Sequence, residues 1–147
     1  MHGFGDKRPH RLSDVENVGP SKLSLAINLV RMIKNIHPSL AIIDGVDAME
    51  GDGPAFRGIH KKLGLIIAST DFIAADTITT YIAGMQPDDL QYIKQTGKLG
   101  LGKYQLDEIE IIGEKLDSVI SPFKPHHLFP RAHFTSDEIS ILEKNII

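Results

Sequence analysis

A chain of 147 residues, 41% hydrophobic and 24% charged with a net charge of −3, has the size of one domain and the composition of an ordinary soluble protein. That balance excludes a general nucleic-acid binder, which carries a basic face, and no apolar run reaches the roughly 18 residues that a membrane-spanning helix needs. With no cysteine, disulfides, thiolate-held iron–sulfur clusters and sulfur-ligated structural zinc are excluded as well.

Residues 1–20 form a loop-rich entry segment, punctuated by Gly3, Gly5, Pro9, Gly19 and Pro20. Its cluster of His2, Lys7, Arg8, His10 and Arg11 reads as a solvated arm. The opening MHGFGDKRPHRL lacks the apolar centre of a secretory signal, so a cytoplasmic location is expected. From Ser21 to Ile36 the pattern becomes helical. Leu25, Ala26, Leu29, Val30, Met32, Ile33 and Ile36 share one face, Ser21 is the expected N-cap, and His37-Pro38 ends the run.

Residues 21–120 are expected to make the main α/β domain. Leu40–Ile43 is a continuous apolar run that stops at Asp44-Gly45, and Leu63–Ala68 is a second that stops at Ser69-Thr70-Asp71. Short runs without alternation predict strands buried on both faces. A helix follows over Asp71–Ala83 with Asp71 as N-cap, then a short helix from Pro87 to Gln95, then a third strand over Ile109–Ile112. The order α, β, loop, β, α, α, β predicts a layered α/β domain with a small, mostly parallel sheet and flanking helices. Parallel neighbours would bring Asp44 and Asp71 to one carboxyl edge of that sheet, where open α/β sheets bind ligands.

Residues 121–147 complete the chain. Pro122, Pro125 and Pro130 predict an extended arm lying over the domain or over a partner, and Thr135-x-x-Glu138 is a capping box for a last helix bearing Ile139, Leu142 and Ile146.

The chemistry concentrates in the loop after the first strand. Asp44, Asp47, Glu50 and Asp52 place four carboxylates within nine residues, enough oxygen for a hard divalent cation. The plainer reading is a set of acids that cap turns and face water. Gly51-x-Gly53 lacks the third glycine of a dinucleotide loop, and Gly53 to Gly58 continues into Ile59-His60 where a phosphate loop requires lysine and a hydroxyl residue. Asp44, Glu50 and Asp71 are the candidate cation ligands. His126 and His127, adjacent on an extended arm, are expected to point to opposite sides and to share no metal.

The stretches IIDGVDAMEGDGP (42–54), IIASTDFIAADTITTYIAGMQP (66–87), GLG (100–102) and EIEIIGE (108–114) resemble the C-terminal half of the domain-of-unknown-function family numbered 362, over about residues 20–115. Family members are similar to one another in an acid-glycine strand loop, an MEG-x-GP segment and a helix-starting aspartate with a second aspartate five residues on. Those positions are Asp44, Met49–Gly51, Gly53, Pro54, Asp71 and Asp76 here, with Phe72 in place of a frequent proline. The resemblance therefore implies a ligand-binding set of Asp44, Glu50, Gly51, Gly53, Asp71 and Asp76. It also implies a redox-associated setting, since many members are fused to ferredoxin-like iron–sulfur modules, and a partner in a missing N-terminal half or such a module. Two functions are open at this point. One is a cation- or polar-ligand-binding half-site. The other is a non-enzymatic interaction or oligomerisation module, whose arm and last helix would make it a homo-oligomer.

Overall fold

The computed structural model describes residues 18–53, 57–128 and 133–146; the entry segment before Val18 lies outside the described residues. Helix α1 covers Val18–Asn35, so Ser21 sits inside the helix and is not its cap. Strands β1 (Ala41–Gly51) and β2 (Gly58–Ser69) follow, then α2 (Phe72–Ile82), α3 (Gln91–Lys98), a single turn α4 (Leu116–Val119) and α5 (Ser136–Ile146). Among the described residues no helix is long and apolar enough to cross a membrane.

The sheet departs from the sequence expectation. β1 and β2 form one antiparallel pair, with Ala41 opposite Ser69 and Gly51 opposite Gly58. The expected mostly parallel sheet is therefore corrected to an antiparallel hairpin. β1 ends at Gly51 and β2 starts at Gly58, a connection too short for the crossover that a parallel pair would need. The expected third strand at Ile109–Ile112 has no strand structure; it follows a 3-10 turn at Leu106–Glu108.

The hairpin carries a bulge. Between the pairs Gly45–Leu65 and Asp47–Lys62, Val46 faces both Leu63 and Gly64. Gly64 supplies the left-handed φ of 70° that such a bulge favours. The inward positions of β1 are consequently Ala41, Ile43 and Gly45 before the bulge, and Ala48 and Glu50 after it.

Helix α2 is the central layer. Ile73, Ala74, Ala75, Thr77, Ile78, Thr80 and Ile82 are all buried, more than one stripe of the helix, as expected where a helix is covered on both sides. The hairpin packs on one side. On the other, Ile73 joins Ile33 of α1 and Ile93 of α3 in a core cluster, while Ala26 and Val30 of α1 close a second with Leu142 and Ile146 of α5. The capping box of α5 forms as expected: the Thr135 amide donates to Glu138 Oε2 (2.8 Å) and the Glu138 amide to Thr135 Oγ1 (3.2 Å).

Tyr92 touches both core clusters, and its hydroxyl donates to Asp76 Oδ2 at 3.1 Å. Burial pushes the Asp76 carboxyl above its ordinary 3.8, against the opposing effect of this hydrogen bond. The folded state thus favours the protonated acid, and ionising Asp76 costs stability as pH rises through its folded value. Tyr92→Phe is expected to lower stability by about 1–2 kcal/mol at neutral pH, because it strips the donor from a half-buried carboxylate. The deficit should shrink below about pH 4, where the acid is neutral in both states, and urea denaturation at the two pH values checks it.

Candidate functional site

Two places gather polar or unpaired groups. The first is the far end of β1, where the C-terminal arm docks. The Gly51 amide donates to the Lys124 carbonyl at 2.8 Å, and the Lys124 amide donates to Glu50 Oε2 at 3.1 Å. Lys61 reaches the Pro122 carbonyl at 2.6 Å and Glu50 Oε2 at 3.2 Å, with its ammonium 5.0 Å from the centre of the Phe123 ring. On the α2 side, the Ser121 and Phe123 amides donate to the carbonyls of Ile82 and Ala83 at 2.8 Å. Helix ends leave such carbonyls without intrahelical partners, so the arm completes α2 while it lies on β1. The arm is folded onto its own domain.

At the end of this dock Asp52 Oδ1 accepts the His127 amide at 3.0 Å and stands 2.9 Å from His127 Nδ1. The rings of His126 and His127 are stacked, with centroids 4.4 Å apart and planes at 26°. The expected divergence of adjacent histidines is overturned because the arm turns at His127-Leu128, with the Leu128 amide donating to His126 Nδ1 at 3.0 Å. One donor atom each from Asp52, His126 and His127 falls within 4.8 Å of the others. Sequence reading missed this trio because its two halves are more than 70 residues apart.

The residues chosen from sequence are spread over the molecule. Asp44 is exposed on the outer face of β1, with Oδ1 accepting the Val46 amide at 2.9 Å beside the bulge. Glu50 lies six residues further along the same strand, about 20 Å away at a strand's rise, and the bulge turns it to the inner face. Gly51 holds the arm with φ 77°. Gly53 follows, with Met49 Sδ 3.0 Å from where a Cβ would stand. Asp71 caps α2: Oδ1 accepts the Ile73 and Ala74 amides at 3.0 Å, and Oδ2 accepts the Lys103 amide at 2.8 Å. Gly102 permits that approach, since a Cβ there would lie 2.6 Å from Asp71 Oδ1 and from Ile73 Cβ. Asp76 is engaged by Tyr92. Asp44, Glu50 and Asp71 are therefore not brought together, and the oxygens of Glu50 and Asp71 serve backbone amides.

The second place is a half-open cavity of about 270 Å³ beside β2. It is lined by five consecutive residues of that strand, Leu65–Ser69, by Ala75, Ile78 and Ile82 of α2, and by six consecutive residues, Ile109–Glu114. Consecutive strand residues point alternately to opposite faces, so a cavity touching all five meets the edge of the strand. No residue of β1 lines it.

A family model described as "Domain of unknown function (DUF362)" matches residues 2–81, more than half of the chain. The chain belongs to this family. The match takes in β1, β2 and most of α2, and leaves out the GLG and EIEIIGE stretches that entered the sequence resemblance. The thylakoid-associated protein sll1697 of Synechocystis sp. (strain ATCC 27184 / PCC 6803 / Kazusa) is 38% identical over 73 residues, which are 50% of this chain and 22% of that protein. The aligned part is thus under a quarter of the relative's length. No solved structure matches.

Two outcomes follow from the geometry. Asp71→Ala removes the acceptor of three amides and should cost about 2 kcal/mol, or about 4–8 °C of melting temperature for a domain of this size, whereas Asp44→Ala should move it by less than a degree or two. Differential scanning calorimetry separates the two. The backbone bond from Lys124, foremost, and Lys61 hold Glu50 below its ordinary 4.5, and the amide and ring of His127 hold Asp52 below its ordinary 3.8. Carboxyls lowered by folding stabilise above their unfolded values and lose that contribution as pH falls through the folded ones. The amide resonance of Lys124 should therefore titrate, and this end of the arm loosen, only as pH falls below the ordinary carboxylate range.

Proposed function

We propose that this chain is an interaction module that accepts one extended strand from another polypeptide of its family, completing the sheet at the open edge of β2. The observation that carries the reading is the cavity between Leu65–Ser69 and Ile109–Glu114. An edge strand leaves every second backbone N–H and C=O pointing outward. Across the cavity, the backbone of residues 110–114 makes no hydrogen bond to another described backbone group. A lone strand between two such walls would gain main-chain bonds on both sides and side-chain contact with α2 below. A folded second copy would present a strand already bonded on one edge and could satisfy only one wall.

A second feature supports incompleteness. Leu40–Ile43 and Leu63–Ala68 have the unalternating apolar pattern of strands covered on both faces, yet Ile42 and Ile66 on the outer face are 65% and 68% exposed. The Synechocystis relative carries more than three quarters of its length outside the aligned part, so longer proteins of this kind contain other segments from which such a strand can come. The residues Asp44, Glu50, Gly51, Gly53, Asp71 and Asp76, spread over the molecule and engaged with its own backbone and Tyr92, do not enter this reading. The redox setting implied by the family resemblance is assigned in this proposal to the incoming polypeptide, since this chain has no cysteine to hold an iron–sulfur cluster. A cytoplasmic location is part of the same proposal.

The test co-expresses this chain with the remainder of the Synechocystis relative, lacking the 73 aligned residues, and follows amide exchange. A one-to-one complex should form with residues 65–69 and 109–112 protected. Ile111→Pro, which deletes a wall donor in a segment without regular structure, should abolish it. Absence of a complex, or a complex that leaves those amides fast, overturns the proposal. A homodimer protected along β2 would establish the oligomerisation reading in its place.

A further inference from the structure

The trio at the arm dock is independent of the strand cavity and has a chemistry of its own. From its geometry we infer that Asp52, His126 and His127 form a binding site for a divalent transition cation, with zinc as the best fit. Two imidazoles, which are borderline donors, with one carboxylate oxygen suit zinc, nickel or cobalt, whereas magnesium and calcium take all-oxygen sets. The four-carboxylate loop read from the sequence contributes one ligand, Asp52, and the arm contributes the other two.

The spacing suits this use. Donor atoms within 4.8 Å of one another need to close to about 3.4 Å for a tetrahedral ion with bonds near 2.1 Å, a change that side-chain rotations in a half-exposed site supply. Asp52 already orients His127 through Nδ1. An ion held by both takes the place of the hydrogen bond between them. His126 Nδ1 accepts the Leu128 amide, so that bond competes with the ion. If the ion binds at Nδ1 it displaces the amide directly. If it binds at Nε2, Nδ1 takes the proton and can no longer accept. With three protein ligands the fourth position is left to water or to a group from outside.

A bound ion would pin the turn after β1 to the arm. It adds a cross-link beside the Gly51–Lys124 and Glu50–Lys124 bonds, at the end of the hairpin away from the β2 cavity, so it can be present whether or not a strand is taken up.

Zinc alone is titrated into the full chain by calorimetry in a non-chelating buffer at pH 7.5, with cobalt absorbance as a second readout of ligand type. One equivalent is expected to bind, with the Leu128 and His127 amide resonances shifting. Asp52→Asn, His126→Gln and His127→Gln should each weaken binding by about tenfold or more, while His60→Gln, on an exposed residue beside Asp47, should leave it unchanged. His126→Gln keeps every Asp52 hydrogen bond, so an unchanged melting curve for that variant removes misfolding as an explanation. Binding should weaken as pH falls, because protons compete with the ion for the ligand atoms. No zinc binding at millimolar concentration, or binding that all three variants retain, overturns the assignment.

Discussion

The hairpin on one side and α1 and α3 on the other are arranged to cover α2. A helix reading Phe-Ile-Ala-Ala-Asp-Thr-Ile-Thr-Thr-Tyr-Ile has too little polar surface to face water on any side, so it needs a sheet on one side and helices on the other. The two ends of α2 are fixed by groups distant in sequence. Asp71 caps its first turn and holds the Lys103 amide in the same carboxylate, while Ser121 and Phe123 bond its last carbonyls. Both the Gly100–Gly102 loop and the arm are therefore placed by the need to satisfy one helix.

The helices were legible because amphipathic or capping patterns are local. α1 reads from its apolar spacing, α2 from Asp71 and its apolar content, and α5 from Thr135 and Glu138. The direction of the strands was not legible. Leu40–Ile43 and Leu63–Ala68 were located correctly as the apolar parts of two strands, but a run without alternation gives no sign of whether its neighbour is parallel. The strands also run well beyond those apolar runs, through Asp44–Gly51 and Gly58–Lys62, where the bulge at Val46 and polar outward residues hide the period. The same unalternating pattern belongs to strands buried on both faces, whereas this hairpin is covered on one, with Ile42 and Ile66 exposed on the other.

The candidate sites divide in the same way. Residue chemistry marked the acidic loop and the histidine pair, but only the folded path of the arm brings Asp52 to His127 across 75 positions. The carboxylates that looked most functional, Glu50 and Asp71, are bonded to the amides of Lys124, Lys103, Ile73 and Ala74. An acid at a strand end or helix start has two uses with one sequence signature, and only the partner amides tell them apart.

The seating of α5 has a consequence for the order of assembly. The side chains of Arg31 and Lys34 on α1 donate to the carbonyls of Asn145 and Ile146, more than 110 positions away, and the Ala26–Val30–Leu142–Ile146 cluster joins the same two helices. Contacts of such separation carry a large loop-closure cost and form slowly. During synthesis α1 has to wait, with one flank bare, until α5 has been made. The hairpin and α2 can meet long before that, so the nascent chain passes through a stage in which the hairpin side is built and the α1–α5 side is open to chaperones.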